Sequence, residues 1–227
     1  MKQKFTILFD LDGTLVDTAP DLMLAHNHVM KKFGYPTKST EDIRNLVGKG
    51  AGALIGRSIW GQAKKEFSKV LDAKIKDEMV KEFVNFYGKN IVNESTLVTG
   101  VKDFLIWCKN QNISMAVCTN KQEHLSNDLL KKIGIYDFFE YVAGSDTFDY
   151  CKPDPRHLTN VVEILDGDVK KTIMIGDSET DANAAKAAEI PVILLENGYT
   201  EKNTTEIYHN HLIKDFSGVE KIIKKYL

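Results

Sequence analysis

The chain has 227 residues, 43% of them apolar and 27% charged, with a formal net charge of -2. That balance suits an ordinary globular protein, one large domain or a core with a smaller insert, and supplies no basic footprint for nucleic acid or a membrane surface. No apolar run nears the ~18–20 residues of a membrane span, no secretory signal precedes the first strand, and the three cysteines lie far apart without C-x-x-C spacing, so a cytoplasmic protein with reduced thiols is expected.

The first element is a short apolar strand, Phe5–Phe9, which ends at Asp10-Leu11-Asp12-Gly13-Thr14. Helical spacing then dominates from about Thr18 to Asn93. Leu22, His26, Val29 and Phe33 share one face, with Pro20 near the start and Gly34 at the end. Ile43, Leu46 and Val47 suggest a second helix, Ala53, Leu54, Ile59 and Trp60 a third, and Val80, Phe83, Val84 and Tyr87 a last one. Strands return at Ile113–Cys118, more weakly at Tyr141–Ala143, then at Thr172–Ile175 and Val192–Leu195. Helical patterns lie between them at Leu125–Ile133, Pro155–Leu165 and Ser178–Glu189, and a last one runs from Ser217. Continuous apolar strands alternating with helices predict a doubly wound parallel α/β sheet. The expected division is an α/β core, 1–17 and 94–227, interrupted by a helical cap, 18–93.

Four loops could carry chemistry. Asp10 and Asp12 emerge where the first strand ends, the edge at which open α/β sheets bind ligands, although Asp-Gly is also a common tight turn. Thr119-Asn120 follows the second main strand and could equally be a helix N-cap. Asp177 and Asp181 follow the third and could simply favour a helix N-terminus. Lys152 precedes Pro153 and could be a solvated loop lysine. Parallel strands point their carboxyl ends one way, so these loops converge on one crevice. Four carboxylates there repel one another and call for cationic compensation. Lys152 gives one charge, and a divalent cation with oxygen ligands, best Mg2+, would give the rest on Asp10, Asp12, Asp177 and Asp181. The six histidines show no zinc spacing: His26 and His28 face different ways on a helix, and His209 and His211 sit in a polar stretch.

In order and spacing, Asp10-x-Asp12-Gly13-Thr14, Thr119, Lys152 and Gly176-Asp177-Ser178-x-x-Asp181 resemble the four motifs of the haloacid dehalogenase superfamily. The helical insert resembles the C1-type cap of its subfamily I. The resemblance implies that Asp10 attacks phosphorus and becomes an aspartyl phosphate. It implies that Asp12 protonates the leaving alcohol and then activates water, that Thr119 and the Asn120 region bind phosphoryl oxygens, and that Lys152 neutralises Asp10 and the phosphate. Mg2+ would sit on Asp10, the Asp12 backbone carbonyl and Asp177, with Asp181 nearby. Asp12 is absent from the dehalogenating members, so its presence favours phosphate chemistry.

Val16–Leu22 and Val47–Leu54 resemble the branch of that superfamily acting on 2-phosphoglycolate, whereas Tyr150-Cys151 and His157 are less typical of it. Gly48–Gly52 is either a helix-to-helix turn or a cap loop meeting the substrate, in which case Lys49 or Arg57 could hold a glycolate carboxylate; both could equally be surface residues. Another small phosphate ester, pyrophosphate or a sugar-phosphate mutase reaction are the alternative activities, and a silent regulatory relative is a further class. The partner is expected to be a small phosphorylated molecule, without nucleic acid or membrane, on a monomer or homodimer.

Overall fold

The computed structural model describes residues 4–66 and 73–227, with the side chains of 60–66 excepted. Met1–Gln3 and the side chain of Trp60, expected in the third helix, therefore lie outside the described residues. In chain order, β1 (Thr6–Phe9) and β2 (Val16–Asp17) precede four helices, α1 (Ala19–Phe33), α2 (Thr40–Arg44), α3 (Ala51–Glu66) and α4 (Ala73–Lys89). Then come β3 (Thr96–Leu97), α5 (Val101–Asn110), β4 (Ser114–Cys118), α6 (Glu123–Ile133), β5 (Tyr141–Ala143) and α7 (Arg156–Ile164). The chain ends with β6 (Thr172–Gly176), α8 (Glu179–Ala187), β7 (Val192–Leu195), β8 (His211–Ile213) and α9 (Glu220–Ile223).

Six strands form one sheet in the order β5-β4-β1-β6-β7-β8, every neighbouring pair parallel. Side chains alternate between its faces. Ile7, Phe9, Val117, Ile173 and Ile175 point to one face; Leu8, Ala116, Cys118 and Met174 point to the other, against Leu158, Val161 and Ala182 of α7 and α8. Both faces are covered, which is why these strands read as unbroken apolar runs rather than alternating ones. The fold is thus the doubly wound parallel α/β arrangement expected.

The helices after β2 pack mainly on one another, α1 against α2 and α4, and α3 against α4. Their buried side chains, among them Ile43, Ile55, Met79 and Phe83, continue the apolar cluster on the Phe9 face of the sheet. Leu46 and Val47, expected in the second helix, lie past its end at Arg44. The antiparallel pair β2–β3 joins the two places where the chain enters and leaves this helical stretch, Asp17 facing Thr96. Beside it the buried carboxylate of Asp21 accepts hydrogen bonds from the backbone N–H groups of Asn93, Glu94 and Ser95 and from the Ser95 hydroxyl at 2.6–3.2 Å.

Three elements depart from the sequence pattern. No expected helix covers α5, although Val101, Phe104, Leu105 and Cys108 are its buried stripe at helical spacing. Strand β8 starts at the end of the polar His209–His211 stretch and runs to Ile213, at a sheet edge where one face of a three-residue strand meets solvent. The tail expected to be helical from Ser217 contributes only the four residues of α9. Among the described residues, no helix is long and apolar enough to cross a membrane. The three cysteines are free thiols, Cys108 and Cys118 buried.

Candidate active site

Three neighbouring strands end in the expected residues. Asp10 follows β1, Thr119 and Asn120 follow β4, and Asp177 follows β6, with Phe9 paired in register to Val117 and Ile175. Lys152 arrives from the loop between β5 and α7, and Asp181 from the first turn of α8. Asp10, Asp177 and Asp181 are all buried and offer carboxylate oxygens within 4.8 Å of one another. Lys152 Nζ sits among them, 2.9 Å from Asp10 Oδ1 and 2.5 Å from Asp181 Oδ1.

Each acid is held by its own local structure. Asp181 Oδ2 accepts from the N–H groups of Asp177 and Ser178 and from the Ser178 hydroxyl, the capping box of α8. The cap and the site are therefore the same residue, one oxygen serving each. Asp177 accepts from the Tyr199 N–H at 2.6 Å and the Thr14 hydroxyl at 3.3 Å. Gly13 lets the first loop close on it: its φ is +80°, and a Cβ there would stand 2.1 Å from Asp177 Oδ2.

The electrostatics are strained as the sequence requires. Burial raises the Asp10 carboxyl to about 6; Lys152 opposes the shift while Asp181 and Asp12 add to it. Burial also raises Asp177 well above the usual carboxylate range, with Asp10 and Asp181 reinforcing it. Burial works against the Lys152 charge, but Asp10 and Asp181 overcome it and hold the ammonium above the ordinary lysine range. One ammonium set among three buried carboxylates leaves an all-oxygen site short of positive charge, which fits a hard divalent cation.

Asp12 stands apart from the acidic cluster. Lys121 Nζ lies 2.8 Å from both Asp12 oxygens, and the Thr18 hydroxyl donates to Oδ1 at 2.7 Å. Its carboxylate is therefore not brought to the other three acids. Lys121, absent from the expected site, is 9% exposed and places its ammonium 4.5 Å from the centre of the Tyr87 ring. Its signal in the sequence was adjacency: it completes Thr119-Asn120-Lys121.

Thr119 is buried, and its Oγ1 accepts from the Lys121 N–H. It does not cap α6, whose N-cap is Gln122. The Asn120 amide donates to the carbonyls of Lys152 and Gly48, which ties the sheet to the glycine-rich loop. Gly50 in that loop has φ +81° and lies against the Asn120 carbonyl, where a Cβ would come within 3.3 Å. A cavity of about 290 Å³ opens here, lined by Asp10, Asp12, Thr119, Gly48–Leu54 and the apolar wall Leu22, Val80, Phe83, Val84 and Tyr87. Lys49 lines it as an exposed side chain. Arg57 does not line it: its guanidinium donates to the Leu46 and Asn45 carbonyls and pairs with Glu201.

His157, fully buried on α7, is pushed to about 4 by burial and by the positive charge of Lys152. The unfolded imidazole titrates near 6.5, so between these values the unfolded chain binds a proton that the native one refuses. Stability is therefore lost as pH falls from about 6.5 toward 4, by about 3 kcal/mol through this group. His157→Leu should gain stability over the parent at pH 4.5 by more than it does at pH 7, read by urea denaturation. An equal difference at both pH values would refute the assignment.

The class is given by a family model described as "Haloacid dehalogenase-like hydrolase", which matches residues 7–195. The chain belongs to that family. A phosphoglycolate phosphatase of Mesorhizobium japonicum is 37% identical over 94% of this chain and 92% of its own length. One of Caulobacter vibrioides is 39% identical over 95% and 89%. A crystal structure described as a predicted phosphoglycolate phosphatase of Haemophilus somnus superposes with a TM-score of 0.90 at 30% identity, covering 98% of this chain and 99% of that one. The protein is an enzyme of the phosphatase kind within the family.

Proposed function

We propose that the protein is a Mg2+-dependent phosphomonoesterase that hydrolyses 2-phosphoglycolate to glycolate and phosphate. The observation that carries this reading is the buried Asp10–Lys152–Asp177–Asp181 cluster, whose Asp10 opens with Asp12 onto one cavity. The relatives named phosphoglycolate phosphatase support the choice of ester.

Asp10 attacks phosphorus in line. An oxygen–phosphorus bond forms to Asp10 as the bond to the glycolate oxygen breaks, and Asp12 gives that oxygen a proton. Asp12 then takes a proton from the water that attacks the aspartyl phosphate, which frees phosphate and restores Asp10. Lys152 balances the charge of Asp10 and of the phosphoryl group, and Thr119 with the Asn120 region hydrogen-bonds its oxygens. Asp10, Asp177, the Asp12 backbone carbonyl and the nearby Asp181 would hold Mg2+. When bound, the metal withdraws charge from the phosphoryl oxygens. Of the expected carboxylate binders, Lys49 keeps a place on the cavity and Arg57 does not. The helical stretch 18–93 is the part of the chain that closes over the site and excludes water.

The apolar wall of the cavity favours a second reading, a bulkier phosphate ester. A panel of 2-phosphoglycolate, ethyl phosphate, sugar phosphates, pyrophosphate and p-nitrophenyl phosphate decides between them. The expected result is a kcat/KM for phosphoglycolate at least about tenfold above the rest, abolished by EDTA and restored by Mg2+. A larger ester winning that panel, or full turnover in EDTA, would overturn the assignment.

A further inference from the structure

We propose that Lys121 is the cation that receives the carboxylate of the leaving group and so selects phosphoglycolate. The proposal rests on the phosphoglycolate reading above and adds the residue that enforces it.

Among the described residues that line the cavity, the basic side chains are Lys49 and Lys121. Lys49 is exposed, where water and salt weaken its pull on an anion. Arg57 is occupied by two carbonyls and Glu201. Lys152 is occupied by Asp10 and Asp181 at the phosphoryl end. Lys121 is nearly buried, faces the cavity, and lies at the other end, against Asp12.

Its position follows the skeleton of the substrate. Asp12 must reach the ester oxygen to give it a proton. In phosphoglycolate one methylene separates that oxygen from the carboxylate. A cation 2.8 Å from both Asp12 oxygens is therefore within reach of a carboxylate one methylene away from the atom Asp12 serves. An ammonium has three donors. Two are matched to Asp12, and one is left for the ligand. The Tyr87 ring supports the ammonium from the cap side without consuming a donor, at 4.5 Å from the ring centre. An ammonium with little water around it attracts an incoming carboxylate more strongly than an exposed one does.

Ethyl phosphate is the control ligand, since it is phosphoglycolate with a methyl group in place of the carboxylate. The reading is the ratio of kcat/KM for phosphoglycolate to that for ethyl phosphate, in Mg2+, for the parent, Lys121→Met, Lys121→Arg and Lys49→Ala. Because each ratio is internal to one preparation, loss of folded protein cancels from it. The expected result is a ratio lowered about 30- to 100-fold in Lys121→Met, mainly through KM for phosphoglycolate, largely kept in Lys121→Arg, and unchanged in Lys49→Ala. Lys121→Met slowing both esters equally would reduce Lys121 to a residue that only positions Asp12 and would overturn the proposal. A ratio that collapses in Lys49→Ala instead would overturn it too. A parent enzyme with no preference for phosphoglycolate would remove the substrate reading itself, and that outcome is visible before any variant is made.

Discussion

Asp10→Asn should lower kcat for phosphate release by on the order of 10⁴ or more while leaving the fold intact. The amide has nearly the shape of the carboxylate but cannot form the acyl phosphate. The residue is buried against Lys152, so a misplaced substitute has no room to compensate. The variant also removes one of three carboxylates that repel one another, and its melting temperature in EDTA should not fall by more than a few degrees. A direct check is acid quenching of the parent during turnover, followed by mass spectrometry of the peptide carrying Asp10, which should bear the phosphoryl group. A phosphoryl group found on another residue, or an Asp10→Asn enzyme with undiminished turnover, would remove the nucleophile. Proton competition adds a sign that can be tested. In the metal-free enzyme Asp10 holds its proton up to about 6, so Mg2+ must displace it below that pH, and the Mg2+ requirement should rise as pH falls through this range.

Lys152→Met should be costly in both activity and stability, and the two losses have different causes. Without the ammonium, Asp10 and Asp181 lose their partner at 2.9 and 2.5 Å, and the buried acidic group has no internal counter-charge among the described residues. Breaking a buried ion pair from one side costs about 3–5 kcal/mol. The parent and the variant should therefore differ most by denaturation in EDTA. Mg2+ should stabilise the variant more than the parent, since the metal then supplies charge that the lysine no longer does. Turnover should fall about 10³-fold even in saturating Mg2+, because the phosphoryl group loses a fixed cation. Lys152→Arg should not restore it: a planar fork does not fit where a point charge meets two carboxylates. A kcat within tenfold of the parent in Lys152→Met would show that the lysine serves the fold alone.

The central strands could be read from the chain because both faces of the sheet are covered, and double burial writes itself as a run such as Ile7-Leu8-Phe9. The acids could be read because Asp10 and Asp177 sit directly past such runs and Asp181 lies one helical turn beyond Asp177. What could not be read is where side chains go after leaving the backbone. Asp12 shares a tripeptide with Asp10, yet its carboxylate turns to Lys121 and Thr18 instead of the acidic cluster. Arg57 looked available, but its guanidinium closes the turn after α2 and reaches Glu201. Asp21, an acid in the first turn of α1, carries no local sign of its role, since its partners Asn93, Glu94 and Ser95 lie some seventy residues on. Strand β8 escaped because three residues at a sheet edge carry no alternation worth measuring.

The clasp of Asp21 over Ser95, beside the Asp17–Thr96 pairing, has an architectural result. The long helical excursion departs from the sheet and rejoins it at one address. Because its two ends are tied together, it leaves the order of β1, β4 and β6 in the sheet uninterrupted. On the proposed reading, variation among those helices changes what the enzyme admits and leaves the Asp10–Lys152 pair in place.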